Sequence, residues 1–239
     1  MRGVFQATAR LLTMQSLLLS LRLAACVSAI LFAVGLPLAY WLAYSRWRGK
    51  FLVESVVALP LVLPPTVLGF YVLVAMGTRG PLGKFWQATF GHGLAFTFTG
   101  LVFASVLYSL PFAVQPLVAS FLSIDRKLLD ASAVLGAGAL RTFRRVILPM
   151  SIPGVVTALV LSFAHTLGEF GVVLMVGGNL AGSTRTISID IYDHVQSLEY
   201  AEANRLALIL LAFSFVVLSI VYGLNRRIGG RMWSPWPAK

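Results

Sequence analysis

Long apolar runs alternate along the chain with short stretches that hold nearly all of its charge. A helix needs about 20 apolar residues to cross the hydrocarbon core of a bilayer. Five runs qualify, at 23–44, 51–76, 94–122, 152–176 and 206–224. The pattern predicts an all-α polytopic membrane protein of about five transmembrane helices. Arg22 stands at the edge of the first run, where its long stem lets the guanidinium reach the interface. The first 30 residues imitate a secretion signal, with Arg2, Arg10, the apolar run 17–21 and small residues after it. The apolar character nevertheless continues to Tyr44, well past a signal core of roughly 7–15 residues, so an uncleaved first span is expected. No repeat or soluble domain is evident. The division expected is an N-terminal segment 1–14 of interfacial length, one transmembrane domain over 15–227, and a tail over 228–239.

One long stretch breaks the pattern. Residues 130–149 are too polar to span a membrane and too long to be a plain turn. Leu140, Phe143 and Ile147 recur at helical spacing, which gives an apolar stripe. Arg141, Arg144 and Arg145 lie on another flank. Gly136 and Gly138 are able to divide the stretch into two short helices, since glycine accepts backbone angles other residues resist. Pro149 suits the start of the next helix, where a missing N–H costs nothing. The stretch reads as a helical elbow at a membrane surface, against which a partner presses.

Composition agrees: 58% of the 239 residues are hydrophobic and 11% charged, against roughly 25% charged in soluble domains. The net charge of +11 does not point to nucleic acid, because the basic residues are spread over short inter-span loops rather than gathered on one face. They orient the chain instead. The loops 46–50, 123–151 and 225–239 hold three, five and four Lys or Arg, while the N-terminal segment and the loops 77–93 and 177–205 hold three, two and two. The positive-inside rule then puts the elbow and the C-terminus in the cytoplasm and the N-terminus outside. Cys26 is the only cysteine, which excludes an intrachain disulfide.

Four constellations invite chemistry, each with a plainer reading beside it. Pro60, Pro64 and Pro65 free several carbonyls in the second run, followed by Thr66; they make either a broken helix lining a pathway or a kinked packing helix. His165 and Glu169 stand four residues apart in the fourth run, as a proton relay or as a hydrogen-bonded pair that fixes the helix. Residues 177–184 approach the phosphate-binding pattern GxxxxGK[ST], but Ser183 stands where the lysine should be, so a glycine-rich loop is expected. Asp190, Asp193 and His194 could suggest a metal; solvated surface residues account for them better, given how few ligands converge. No nucleophile and base can be assembled with an orienting partner, so an enzyme is not expected.

With these residues in view, the chain resembles the membrane permease subunits of bacterial ATP-binding-cassette importers. Their signature runs Glu-Ala-Ala-x-x-x-Gly-x(9)-Ile-x-Leu-Pro. Here Asp130 stands for Glu, Ala131 matches, Ser132 stands for the second Ala, Gly136 matches, Val146 stands for Ile, and Leu148-Pro149 complete it. Leu59-Pro-Leu-Val-Leu-Pro-Pro65, Gly77-Thr-Arg-Gly80, Leu167-Gly-Glu-Phe-Gly171 and Gly182-Ser-Thr-Arg-Thr186 resemble the molybdate and sulfate branch, the first of them favouring molybdate. The likeness runs from about Gln15 to Arg227.

The resemblance implies a type I importer permease fold in the bacterial inner membrane, with a cytoplasmic coupling elbow between the third and fourth spans. It implies a second copy of the chain, two ATPase subunits on the elbows, a periplasmic oxyanion-binding protein, surrounding lipid, and no cofactor. Coupling falls to Asp130, Ala131, Ser132, Gly136, Arg141, Arg144, Arg145, Leu148 and Pro149. A pathway or gate falls to Pro60, Pro64, Pro65, Thr66 and Glu169. No Lys or Arg lies deep in a span, so a tetrahedral dianion would meet backbone dipoles and hydroxyls; Glu169 would repel it and is expected to order the helix beside the gate. The rivals are permeases for sulfate, thiosulfate or tungstate, a membrane-embedded enzyme acting on lipid or peptide, and a structural or signalling membrane subunit.

Overall fold

The computed structural model describes the backbone of residues 2–232 and side chains over 14–220 and at 222 and 223. All regular structure among these residues is helical. In chain order the helices are α1 (Arg2–Tyr44), α2 (Lys50–Val62), α3 (Pro65–Met76), α4 (Pro81–Phe90), α5 (Phe98–Leu122), α6 (Arg126–Val134), α7 (Ala139–Thr142), α8 (Leu148–Met150), α9 (Ile152–Gly168), α10 (Gly171–Gly177), α11 (Ile187–Gln196) and α12 (Tyr200–Met232), with a π-turn at Phe143–Ile147 between α7 and α8. Residues 233–239 of the expected tail lie outside the described residues.

Three of the described helices are long and apolar enough to cross a membrane: Met14–Tyr44 within α1, α5, and Tyr200–Ile220 within α12. Two bent pairs bring the crossings to five if each is one span. Lys50–Val62 and Pro65–Met76 turn by 114° at their break, and Ala139–Met150 and Ile152–Gly168 by 73°. The apolar run expected from residue 23 continues a helix that begins at Arg2. The run 17–21 continues the helix, and Arg22 stays compatible with it because its guanidinium lies 4.6 Å over the Phe98 ring. From Arg2 onward the N-terminal segment is helical and continuous with α1.

The centre of the bundle is α1 laid along α5 and α9. Leu23, Val27 and Leu31 of α1 meet Leu101 and Ala113 of α5, together with Val173 of α10 and Ile189 of α11. Nearer the elbow, Ala39 and Leu42 meet Val114, Leu117 and Phe121. A third cluster joins Val72 and Met76 of α3 to Ala104 and Tyr108 of α5 and to Val172 and Val176 of α10. Pro37, Pro60, Pro111 and Pro116 all sit inside helices without ending them. Neighbouring helices supply the support that makes proline tolerable in a span.

At the end opposite the elbow, a polar lattice closes the bundle. Thr184 is fully buried; its hydroxyl donates to the Gly177 carbonyl at 2.6 Å and accepts from the Leu180 amide at 3.0 Å. The near-miss phosphate loop is thus folded on itself. Asn179 donates to both carboxylate oxygens of Asp193 at 3.0 and 2.9 Å, and Arg185 Nε donates to Asn179 Oδ1 at 2.7 Å. Asp190 corrects the expectation of solvated residues. It is 5% exposed and accepts from the Ser16 hydroxyl at 2.7 Å, while the Ser20 hydroxyl accepts from the Ile187 amide at 2.8 Å. The sequence could not reveal this, because the partners lie more than 160 residues away. Among the described residues no three His, Cys, Asp or Glu side chains converge as metal ligands would.

Asp190→Ala is expected to lower stability by about 1–3 kcal/mol, the cost of removing one partner of a buried hydrogen bond. Asp190→Asn, which keeps an acceptor, should lose less. The unfolding midpoint in detergent micelles reads both, and an unchanged midpoint in the alanine variant would show that this bond does not hold α1 to α11.

Candidate functional site

The elbow begins where α5 ends. Asp125 caps α6, its carboxylate accepting from the Lys127 amide at 2.9 Å, as a side-chain acceptor does at a helix start. The helix stops at Val134, and the chain reverses through Gly136, whose φ is +71°. That left-handed angle is costly for any residue with a Cβ, which explains why glycine stands there. Two bonds close the reversal: Gly136 N donates to Ala133 O at 2.9 Å and Ala137 N to Ser132 O at 3.1 Å. The two arms are then tied by their side chains, with Ser132 Oγ and Thr142 Oγ1 2.8 Å apart. This link gives Ser132 a purpose that alanine in the family signature could not serve. A π-turn follows, in which the Leu148 amide reaches back five residues to Phe143 O. Pro149 has no N–H for the regular ladder, so a local slip to wider turns meets little resistance. Pro149 stands in the first positions of the short α8, and the long α9 starts at Ile152, with Pro153 in its first turn.

The apolar stripe is divided between two tasks. Ile147 is buried, and the Phe143 ring meets Tyr40 edge-on at 5.2 Å and Phe121 at 6.3 Å. Both side chains therefore root the elbow in its own bundle rather than face a partner, which corrects the reading of the whole stripe as a docking face. Tyr44 strengthens the root by donating to Phe121 O at 2.9 Å. What remains outward is the tip: Val134 is 87%, Leu135 83% and Leu140 62% exposed. Asp130, Ala131, Gly136, Arg141, Arg144, Arg145 and Pro149 are exposed too, Leu148 is half-buried and Ser132 is buried.

The second constellation lies within the membrane-spanning part. α2 ends at Val62 and α3 begins at Pro65; α9 ends at Gly168 and α10 begins at Gly171. The two breaks are neighbours. A Cβ on Gly171 would stand 2.7 Å from Pro65 Cβ, and one on Gly69 would stand 2.9 Å from Met175 Cβ and 3.2 Å from Val172 Cα. Each glycine removes a side chain where α3 and α10 press together. Pro64 and Pro65 make the first break, and Pro60 is buried inside α2 without breaking it. Thr66 is exposed at the start of α3. Glu169 makes the second break bearable: it is buried, and its Oε1 accepts from the Val172 amide at 2.6 Å.

His165 and Glu169 do not form the pair expected of residues four apart, because the helix ends between them at Gly168. His165 turns to α5 instead. Its Nδ1 lies 2.9 Å from Ser109 Oγ, its ring stacks on Phe112 at 3.9 Å, and Ser109 also lies 3.0 Å from Thr166 Oγ1. Sequence inspection missed Ser109, Phe112, Gly69 and Thr142. All four are ordinary residues in helical runs, and only the packing gives them a role.

The sequence pattern of the family described as "Binding-protein-dependent transport system inner membrane component" matches residues 35–233. The chain is 52% identical over 208 residues to the molybdenum transport system permease protein ModB of Azotobacter vinelandii, covering 87% of this chain and 92% of that one. It is 38% identical over 215 residues to the protein of the same name in Escherichia coli, covering 89% and 93%, and 33% identical over 211 residues to the sulfate transport system permease protein CysT of Salmonella typhimurium, covering 88% and 76%. Among solved structures, a bacterial ABC transporter involved in alginate import superposes with a TM-score of 0.75 at 18% identity, over 90% of this chain and 79% of that one. The methionine ABC transporter MetNI in an inward-facing form superposes with a TM-score of 0.71 at 18% identity, over 92% and 98%. These two likenesses establish the fold.

The link between the elbow's arms has a direct test. Ser132→Ala, Thr142→Ala and the double variant should show a coupling of about 0.5–1.5 kcal/mol in a double-mutant cycle of unfolding free energies. Strict additivity of the two single changes would show that the hydroxyls do not act together.

Proposed function

The chain belongs to the binding-protein-dependent inner membrane transport components, and from that premise we propose that it is the permease subunit that carries molybdate inward, driven by ATP that a separate subunit hydrolyses. The observation that carries this reading is the elbow itself: two short helical arms joined by a left-handed Gly136, stitched by Ser132 and Thr142, and rooted through Phe143 and Ile147 in the bundle. Such a unit transmits a push without deforming. The names of relatives 52% and 38% identical support molybdenum as the cargo.

In this reading two ATPase subunits press on the exposed tips of two elbows, one on each copy of the chain. Val134 and Leu135 supply apolar contact there. A periplasmic oxyanion-binding protein delivers the anion at the opposite end. The basic loops 46–50 and 123–151 support the cytoplasmic side for the elbow and the N-terminus outside.

The paired breaks are the flexing point. α3 and α10 are bound to each other through Gly69, Gly171, Val172 and Met175, so they move as one body. Their connections to α2 and α9 run through Leu63–Pro64 and Glu169–Phe170, where the helical hydrogen-bond ladder is interrupted. Rocking of that body about the two breaks is an alternating-access motion driven by hinge residues. Glu169 acts by holding the start of α10 through the Val172 amide.

Proteoliposomes that contain the chain, its ATPase partner and the binding protein are expected to accumulate molybdate only with ATP, with sulfate competing weakly. Gly136→Val should leave membrane insertion and ATP hydrolysis in place while uptake falls about tenfold, the scale of a left-handed penalty of 1–2 kcal/mol; undiminished uptake would refute the coupling role. Glu169→Ala is expected to cut uptake about tenfold and Glu169→Gln severalfold less, since glutamine keeps an acceptor for the Val172 amide. Equal losses would show that the charge, not the hydrogen bond, matters.

A further inference from the structure

Between α1 and the second arm of the elbow lies an apolar cavity of about 310 Å³, lined by Leu36, Pro37 and Tyr40 from α1 and by Ala139, Leu140 and Phe143 from the elbow. Its neighbour is a larger concavity of about 530 Å³ that shares Ala139 and Leu140 and is otherwise bordered by Gly138, Arg141, Arg144 and Arg145. The two together form one feature, an apolar slot that opens onto three arginines. Those arginines are exposed, and among the described residues none of them forms an ion pair with an acidic side chain.

The depth of the slot selects its occupant. α1 ends at Tyr44, and at 1.5 Å per residue Tyr40 and Leu36 lie about 6 and about 12 Å further along the helix axis, toward the bilayer centre. Trp41 and Trp47 are exposed beside that end, their rings 6.0 Å apart, as aromatic side chains are where a span meets the headgroups. The headgroup layer is only about 5–7 Å deep on each side. Leu36 and Pro37 thus stand at acyl-chain depth, while the arginines stand at headgroup depth. A soluble subunit would reach the elbow's outward tip at Val134 and Leu135 before it reached a slot behind that tip.

We propose that this slot is a binding site for an anionic phospholipid of the adjacent leaflet, with an acyl chain between α1 and the elbow and the phosphate on Arg141, Arg144 and Arg145. Chemistry and shape agree. The slot offers almost no polar surface, as an acyl chain requires, and the only charge at its mouth is positive, as a phosphate requires. A bound lipid would fill the space beneath the moving arm and brace it against α1. The inference is independent of which ion is transported.

Native mass spectrometry of the full chain tests it. The protein is released from micelles after equilibration with equal amounts of phosphatidylglycerol and phosphatidylcholine. Phosphatidylglycerol should be retained about thirtyfold or more over the zwitterionic phosphatidylcholine, the scale of two or three arginines at about 1 kcal/mol each on a net anionic headgroup. Arg144→Gln with Arg145→Gln should abolish that preference while some lipid of either kind is still retained, and Ala139→Trp, which fills the slot, should reduce retention of both. Ala139 is exposed, and a normal unfolding midpoint in that variant would confirm an intact fold. Equal retention of the two lipids by the unaltered chain would overturn the proposal, whatever the variants do. Loss of the lipid when the ATPase partner is added would also overturn it, by assigning the slot to that subunit.

Discussion

Within hydrocarbon an unpaired backbone amide has no water to turn to and costs several kcal/mol, so a helix that stops inside the membrane must dispose of its free donors. This chain stops two helices side by side and meets the demand in opposite ways. At the first break the donors are removed: Pro64 and Pro65 carry no N–H, and the Val67 and Leu68 amides return to Pro64 O at 3.0 and 3.2 Å. At the second break the donors are kept and an acceptor is brought to them, the Glu169 carboxylate on the Val172 amide. The hydroxyls of the spans obey the same constraint. Ser162 bonds Ala158 O at 2.7 Å and Thr166 bonds Ser162 O at 2.8 Å, each four residues back along its own helix. Ser162 and Thr166 thus spend their hydroxyls on their own helix, whereas the buried Ser28 and Ser105 hydroxyls of α1 and α5 have no hydrogen-bond partner among the described residues.

That constraint sorts the molecule into stiff and yielding parts. α1 packs along α5 through buried apolar clusters that α9 joins through Ala158. At the far end α1 is fastened to α11 by Ser16 and Ser20, and at the near end to α5 by Tyr44. The elbow is continuous with this stiff part, since Phe143 and Ile147 belong to its core. The α3–α10 pair is connected to α2 and α9 by two stretches where the helical ladder is interrupted, and packs on α5 through Ala104 and Tyr108. Close packing at Gly69 and Gly171 holds α3 and α10 against each other, while the breaks interrupt their hydrogen-bond ladders with α2 and α9.

The sequence displayed the apolar runs, because membrane thickness forces a length that composition alone reveals. It displayed the elbow as well, since a polar interruption of that length, with glycines at its centre and a span on either side, folds most simply as two short surface helices. It concealed whatever depends on distance along the chain. Asp190 looked like a surface acid because Ser16 is 174 residues away. His165 and Glu169 looked like neighbours because a four-residue spacing implies a shared helix face, and nothing local announced that Gly168 ends the helix. The stripe of Leu140, Phe143 and Ile147 was real, but a stripe does not say whether it faces inward or outward; Tyr40 and Phe121 settle that for Phe143.

The division of that stripe explains how a short elbow can be both anchored and available. Were all three apolar residues turned outward, the arm would bind a partner well but hang loosely from its bundle, and a push would be lost in bending. Were all three turned inward, the arm would be firm but would offer a partner only charge, which salt screens within about 10 Å. Burying Ile147 and half-burying Phe143 fixes the arm at its root, while leaving Leu140 out continues the apolar tip begun by Val134 and Leu135. The π-turn sits at the junction of these two regimes. The chain then breaks at Ser151, where α9 leaves the elbow at 73° and rises into the bundle rather than running on along the surface.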